Sequence, residues 1–430
     1  MAYLVFILLI FLYSLVSHRL ERTVITGPMV FCLAGLVFSF DPSVLESMRI
    51  ERESFLILTE LALVLLLFSD ATNIDFQVLR RYERLPLRLL GIGMPLTILL
   101  GTLGATLLFP GLSIWEAGIL GAILAPTDAA LGEIIVKSPQ LPFRIRQAIF
   151  VEAGLNDGLA VPFLIFFIDI GRQVSEGGGH LLFRYALEQV GIGASVGLLV
   201  GFAGGWLLAL ANRQGWMSES FQHLGVMAIP LLSMMTVEPL RGSMFIAAFV
   251  AGIALRGAYK GAVEKVVEFS GDWGQLLNMF VFFTFGLIAG PLLKTVTWPY
   301  VIYALLSLTI IRMAPVGLSL IGAGLSSGTK AFVGWFGPRG LASIVLGVVF
   351  LAQQTQLPGE QAVKLAVIVT VLISIFAHGL SAQPGIHWYA RHVGELDAES
   401  GELAGIPQVT PLLKNPTADE TEEKNARGSM

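Results

Sequence analysis

Charge is scarce in this chain. Of its 430 residues, 13% are Asp, Glu, Lys or Arg, while 55% are apolar. A soluble domain of this size needs more charged surface, so the composition points to a polytopic membrane protein. Cysteine is rarer still: Cys32 stands alone, inside an apolar stretch. A single thiol excludes an intramolecular disulfide and reads as a small buried hydrophobe. No His-Glu-x-x-His occurs, which excludes the common zinc-protease helix. The net charge of −4 is small and says little about partners; no nucleic-acid partner is expected. A basic leader is missing as well. Met1-Ala2-Tyr3-Leu4 is apolar at once and is expected to open a first membrane helix, not a cleaved signal peptide.

What the chain does have is long apolar runs. About thirteen are long enough to span or nearly span a bilayer. They run approximately 2–17, 23–39, 54–70, 88–109, 113–135, 146–170, 187–211, 219–236, 241–257, 272–290, 297–323, 329–352 and 362–381. The odd-numbered connections, with residues such as Arg19, Arg80, Arg81, Arg144, Arg146 and Lys260, carry about twice the Lys and Arg of the even ones. That bias places odd connections in the cytoplasm, the N-terminus outside and the C-terminus inside a cell membrane. From about Gln383 the chain turns polar, and 386–430 is expected to be a flexible cytoplasmic tail and a candidate for regulation. Runs such as Gly201-Phe202-Ala203-Gly204-Gly205 are expected to permit close helix packing.

Against this background a few charges stand out. Asp128 follows Ala125-Pro126-Thr127 in the fifth segment, and Arg339 follows Gly337-Pro338 in the twelfth. Proline interrupts a helix. Paired broken segments in two halves of a chain mark the substrate site of a transporter built from inverted repeats. Broken helices also leave unpaired N–H and C=O groups, which an acid in one break and an arginine in the other are suited to meet. In the sixth segment, Glu152 and Asn156 are four apart and share a helix face, while Asp157 points elsewhere. A charge at bilayer depth costs about 3 kcal/mol or more, so such residues mark ion or proton pathways. Glu152 needs a buried cation, and Arg312 and Arg339 are the candidates. Asp157 has no obvious permanent partner and is left to bind exchangeable cations. Oxygen ligands of this kind suit hard alkali ions.

Taken together, Leu124-Ala125-Pro126-Thr127-Asp128, Glu152-x-x-x-Asn156-Asp157, Arg312 and Gly337-Pro338-Arg339-Gly340 resemble the monovalent cation/proton antiporters, specifically the sodium/proton exchanger (NhaP-like) branch. The resemblance covers about residues 1–385 and implies an all-α domain of thirteen helices. Core helices lie at about 88–170 and 297–381, with two broken, crossing segments; the remaining helices form a scaffold and dimer interface. It implies a homodimeric elevator transporter, not an enzyme, with no cofactor beyond the transported Na⁺ and H⁺. It implies that Asp157 binds cation or proton, with Asp128, Thr127 and Asn156 shaping the site, Na⁺ being held by Asp157, Asp128 and Thr127. It implies a Glu152–arginine pair, for which Arg312 is favoured because it lies within a continuous segment. Asp70 resembles an acid flanking the ion path. Asn-Asp at 156–157, in place of two adjacent acids, resembles the electroneutral exchangers. One departure is Ala153, where the family usually has Ser; it removes a hydroxyl ligand and leaves ion preference open.

Other classes make different demands. An intramembrane aspartyl protease needs two acids close enough to share a proton, and here its Gly-x-Gly-Asp signature is absent, Gly154-Leu155-Asn156-Asp157 standing instead. A cation channel is separated from an antiporter by proton-coupled counterflow. Glu60 has no motif around it and reads as structural. His223 and His378 read as interfacial residues.

Overall fold

The computed structural model describes residues 2–20, 23–41, 52–73, 84–128, 131–176, 182–259, 263–353, 357–396 and 402. Arg80, Arg81, Lys260 and most of the polar C-terminal segment lie outside the described residues. Those described form an all-α protein. Eight helices are long and apolar enough to cross a membrane, and five apolar helices are shorter.

In chain order the first helices are α1 (Ala2–Leu20), α2 (Gly27–Phe38), α3 (Arg52–Asn73) and α4 (Arg84–Leu108), which contains a π-helical turn at Leu89–Gly93. Next come the short α5 (Ile114–Ile123) and α6 (Glu133–Lys137), then the long α7 (Phe143–Glu176) and α8 (Leu182–Arg213). They are followed by α9 (Glu219–Val237), α10 (Met244–Ala258) and α11 (Val263–Leu292). The last group is α12 (Trp298–Leu308), α13 (Ile310–Ser319), α14 (Ser327–Trp335), α15 (Leu341–Ala352) and α16 (Glu360–Gly394).

Local chemistry explains the short pieces. α5 starts on a capping box in which Glu116 N donates to Ser113 Oγ while Ser113 N donates to Glu116 Oε2. It stops at Leu124 because Pro126 has no N–H to donate and biases Ala125 away from helical backbone. α6 is held to five residues by Ser138, whose extended backbone precedes Pro139. α14 starts on Ser326, whose Oγ accepts from Thr329 N, and it ends just before Gly337-Pro338.

The segment 297–323 forms one apolar span, Trp298–Ser319, whose helix is distorted at Thr309, three residues before Arg312. One expectation from sequence needs correction: the last helix does not end near Gln383. α16 runs through Pro384 to Gly394, so the start of the expected tail is helical.

Small residues set the helix spacing in the outer layer. A methyl group placed on Gly197 of α8 would sit 2.3 Å from the Ala247 carbonyl oxygen of α10, and one on Gly201 2.4 Å from that of Ala251. The two backbones therefore touch along an i, i+4 row, the small-residue packing used between membrane helices.

Candidate functional site

The two breaks meet in the middle of the bundle. Asp128 N donates to the Pro338 carbonyl at 2.8 Å, which joins the unwound strands. The Asp128 carboxylate accepts from Leu341 N at 2.6 Å, the first residue of α15, and from Leu131 N at 3.4 Å. An acid from the first break thus caps the positive end of the half-helix after the second. Arg339 returns the arrangement: its Nη1 donates to the carbonyls of Ala125 at 3.0 Å and Pro126 at 3.2 Å, beyond the C-terminal end of α5. Ser343 Oγ donates to the Ile123 carbonyl at 2.8 Å. Backbone groups left open by the two prolines are met by the opposite repeat instead of by water.

α7 passes beside this junction. Glu152 Oε1 lies 2.6 Å from Arg312 Nη1, with both side chains buried. Of the two candidate arginines, Arg312 is the one that meets Glu152, while Arg339 is committed to the break carbonyls. One turn on, Asn156 Nδ2 donates to Thr127 Oγ1 at 2.7 Å, tying α7 to the first break. Asp157 is buried next to it, and its Oδ1 has no hydrogen-bond partner. Asp70 and Asp128 lie near enough to repel a charge on Asp157. Asp70, in the last turn of α3, faces α7: a methyl placed on Gly154, three residues before Asp157, would lie 4.0 Å from its Cβ. Ala153 is buried on α7 one turn before Asp157. So Asp157, Asp128, Thr127, Asn156 and Asp70 converge, and Glu152 with Arg312 forms a pair behind them.

The motif glycines are sites of close approach. A methyl on Gly337 would lie 2.3 Å from Arg312 Nε, and one on Gly340 1.9 Å from Asp128 Oδ2. Each glycine lets a charged side chain rest against the second break. Gly337→Ala is expected to push the Arg312 guanidinium off Glu152 and to destabilise by about 1–3 kcal/mol as an overpacked buried site. Detergent melting curves test this: a stability equal to wild type would show that Arg312 has room to move aside.

Sequence reasoning missed the groups that hold Arg339. Its backbone N–H donates to Ser374 Oγ at 2.6 Å, and Ser374 Oγ lies 3.1 Å from His378 Nδ1. His378 Nε2 is 2.9 Å from the Trp335 carbonyl at the end of α14. His378 is therefore buried and bonded at the second break, not interfacial as expected from sequence. The available signal was the i, i+4 spacing of Ser374 and His378 on one apolar helix.

Comparison with known proteins follows this geometry. The model of the transmembrane sodium/hydrogen exchanger family matches residues 5–388, and the chain belongs to that family. Its relatives include the K(+)/H(+) antiporter NhaP2 of Shewanella oneidensis, 28% identical over 276 residues, which cover 62% of this chain and 46% of that protein. Another is the Na(+)/H(+) antiporter 2 of Zygosaccharomyces rouxii, 26% identical over 280 residues, 59% of this chain and 34% of that protein. The chain spans less than half the length of these relatives. Among solved structures, the sodium proton antiporter MjNhaP1 of Methanocaldococcus jannaschii superposes with a TM-score of 0.72 at 20% identity, covering 88% of this chain and 98% of that one. That likeness places the fold in the same architecture.

Proposed function

We propose that this chain is a secondary transporter that exchanges a monovalent cation for protons across a cell membrane, with Asp157 as the shared site. The observation that carries the reading is the buried Asp157 Oδ1 without a hydrogen-bond partner, set where two broken helices meet. A buried carboxylate with no fixed cation must be neutralised by a proton or by a mobile ion. Thr127, Asn156 and Asp128 shape the pocket around it, and Asp70 flanks the path. Relatives are named for K⁺ and for Na⁺, so either ion is a candidate cargo. Protein purified into liposomes is expected to show pH recovery that depends on Li⁺, Na⁺ or K⁺. Proton flux that needs no counter-cation would replace the antiporter by a channel.

The same reading has the protein work as a homodimer, by elevator motion of the core, with the N-terminus outside. Exchange is expected to be one for one. Glu152 is occupied by Arg312, and the Asp128 carboxylate by two backbone N–H groups, which leaves one exchangeable acid on the motif helix. Each half-cycle then carries one positive charge, whichever ion is aboard. A valinomycin-imposed potential in sodium-loaded liposomes, with potassium transport checked first, should leave the rate and the steady pH gradient unchanged. A systematic shift with potential would bring in Asp128 or Asp70 as a second carrier.

A further inference from the structure

The two half-helices that lead into the breaks both begin on a serine N-cap, but they differ at the third helical position. α5 starts on Ser113-Ile-Trp-Glu116, and Glu116 closes a complete capping box. α14 starts on Ser326-Ser-Gly-Thr329, so the third helical position is a threonine too short to reach back to the Ser326 N–H. That N–H is nevertheless bonded. It donates to Glu402 Oε1 at 2.7 Å, and Thr329 Oγ1 donates to the same oxygen at 2.7 Å. Glu402 lies beyond the end of α16, yet it is 1% exposed. Two residues of α16 complete the cluster: Tyr389 Oη lies 2.9 Å from Thr329 Oγ1, and His392 Nε2 lies 3.1 Å from Ser326 Oγ.

We propose that Glu402 is a positioning residue: the C-terminal segment supplies the carboxylate that completes the capping box of α14. The chemistry of the position fits. A helix start has open N–H groups and a positive partial charge, and both favour a carboxylate. Burial raises the Glu402 pKa, but the hydrogen bonds from Ser326 N and Thr329 Oγ1 outweigh it and hold the carboxyl below its ordinary value. It is therefore charged at neutral pH.

The consequence reaches the site because α14 is a rod of nine residues. Glu402 fixes one end. The other end runs into Gly337, against which Arg312 rests, and into Arg339, which holds the first break. A tilt at the Ser326 end moves both arginines relative to Glu152 and to the Ala125 and Pro126 carbonyls. Glu402 thus controls the geometry of a site that it does not touch.

Hydrogen exchange and transport measured on the full chain test this. In Glu402→Ala the amides of 326–329 are expected to exchange about fivefold faster, the effect of losing one cap. Cation turnover is expected to fall severalfold, with the global melting temperature unmoved. Adding Thr329→Glu rebuilds the box from within the helix, in the space that Glu402 vacates, and should restore both protection and turnover. Glu402→Gln keeps an acceptor oxygen without the charge and should fall between wild type and Glu402→Ala. Unchanged exchange at 326–329 in Glu402→Ala overturns the cap. Faster exchange with unaltered turnover and KM overturns the positioning role. The transport arm rests on the antiport reading, whereas the exchange arm does not, so the two can fail separately.

Discussion

Asp157→Asn is expected to fold normally and to carry no exchange. The substitution keeps the size and planarity of the side chain but removes both properties that the proposed cycle uses. An amide neither takes up a proton near neutral pH nor offers a full negative charge to a cation. The loss should be complete, because neither of the other motif acids is free to substitute. The Asp128 carboxylate is bonded to the start of α15, and Glu152 faces Arg312. Stability should stay level or rise, since the variant removes a buried carboxylate oxygen with no partner. The measurement is cation-dependent pH recovery in liposomes beside a detergent melting curve. Sustained exchange by a folded Asp157→Asn protein would move the site elsewhere, with Asp70 the next position to examine. A protein that neither folds nor transports would instead make Asp157 a structural acid.

Parts of this arrangement were legible in sequence because membrane depth makes charge expensive. Asp128 and Arg339 each stand beside a proline in an apolar run, and that alone says that unpaired backbone ends and charges share one place. The i, i+4 spacing of Glu152 and Asn156 put them on one face, and in the structure one meets Arg312 and the other Thr127. What sequence could not supply were contacts between distant segments whose local patterns look ordinary. His378 on an apolar helix reads as an interfacial residue until the Trp335 carbonyl is placed beside it. Glu402 sits in a polar stretch with no helical period, and its partner Ser326 is 76 residues away. The polar composition from about Gln383 misled in the opposite direction, and Pro384 lies within it. A proline costs a helix one hydrogen bond, yet α16 continues, with Ile386 and Tyr389 buried beyond it. Tertiary burial outweighs the local penalty there, as it does for Pro162 within α7.

The second large effect is expected in stability. Glu152→Gln should destabilise the protein far more than Asp157→Asn, by about 3–5 kcal/mol, because it strands the Arg312 charge in a buried site. Arg312 has few other options. Its Nε and Nη2 have no hydrogen-bond partners, and Gly337 packs against the guanidinium. Glutamine still offers a carbonyl oxygen to Nη1, but it brings no charge to offset the desolvation of the arginine. The intact pair need not be a net source of stability, since taking two charges out of water costs roughly what their attraction returns. The pair joins α7 to α13, and on the proposed reading it holds them so that Asn156 and Asp157 arrive at the break in register. That view makes a sharper prediction about the double variant Glu152→Gln/Arg312→Met. Removing the second charge should recover most of the melting temperature lost by Glu152→Gln alone, while transport stays impaired because the strut between the helices is gone. Additive losses in the double variant would mean that the two residues act independently. A Glu152→Gln protein that melts with wild type would show that water or another acid already compensates Arg312.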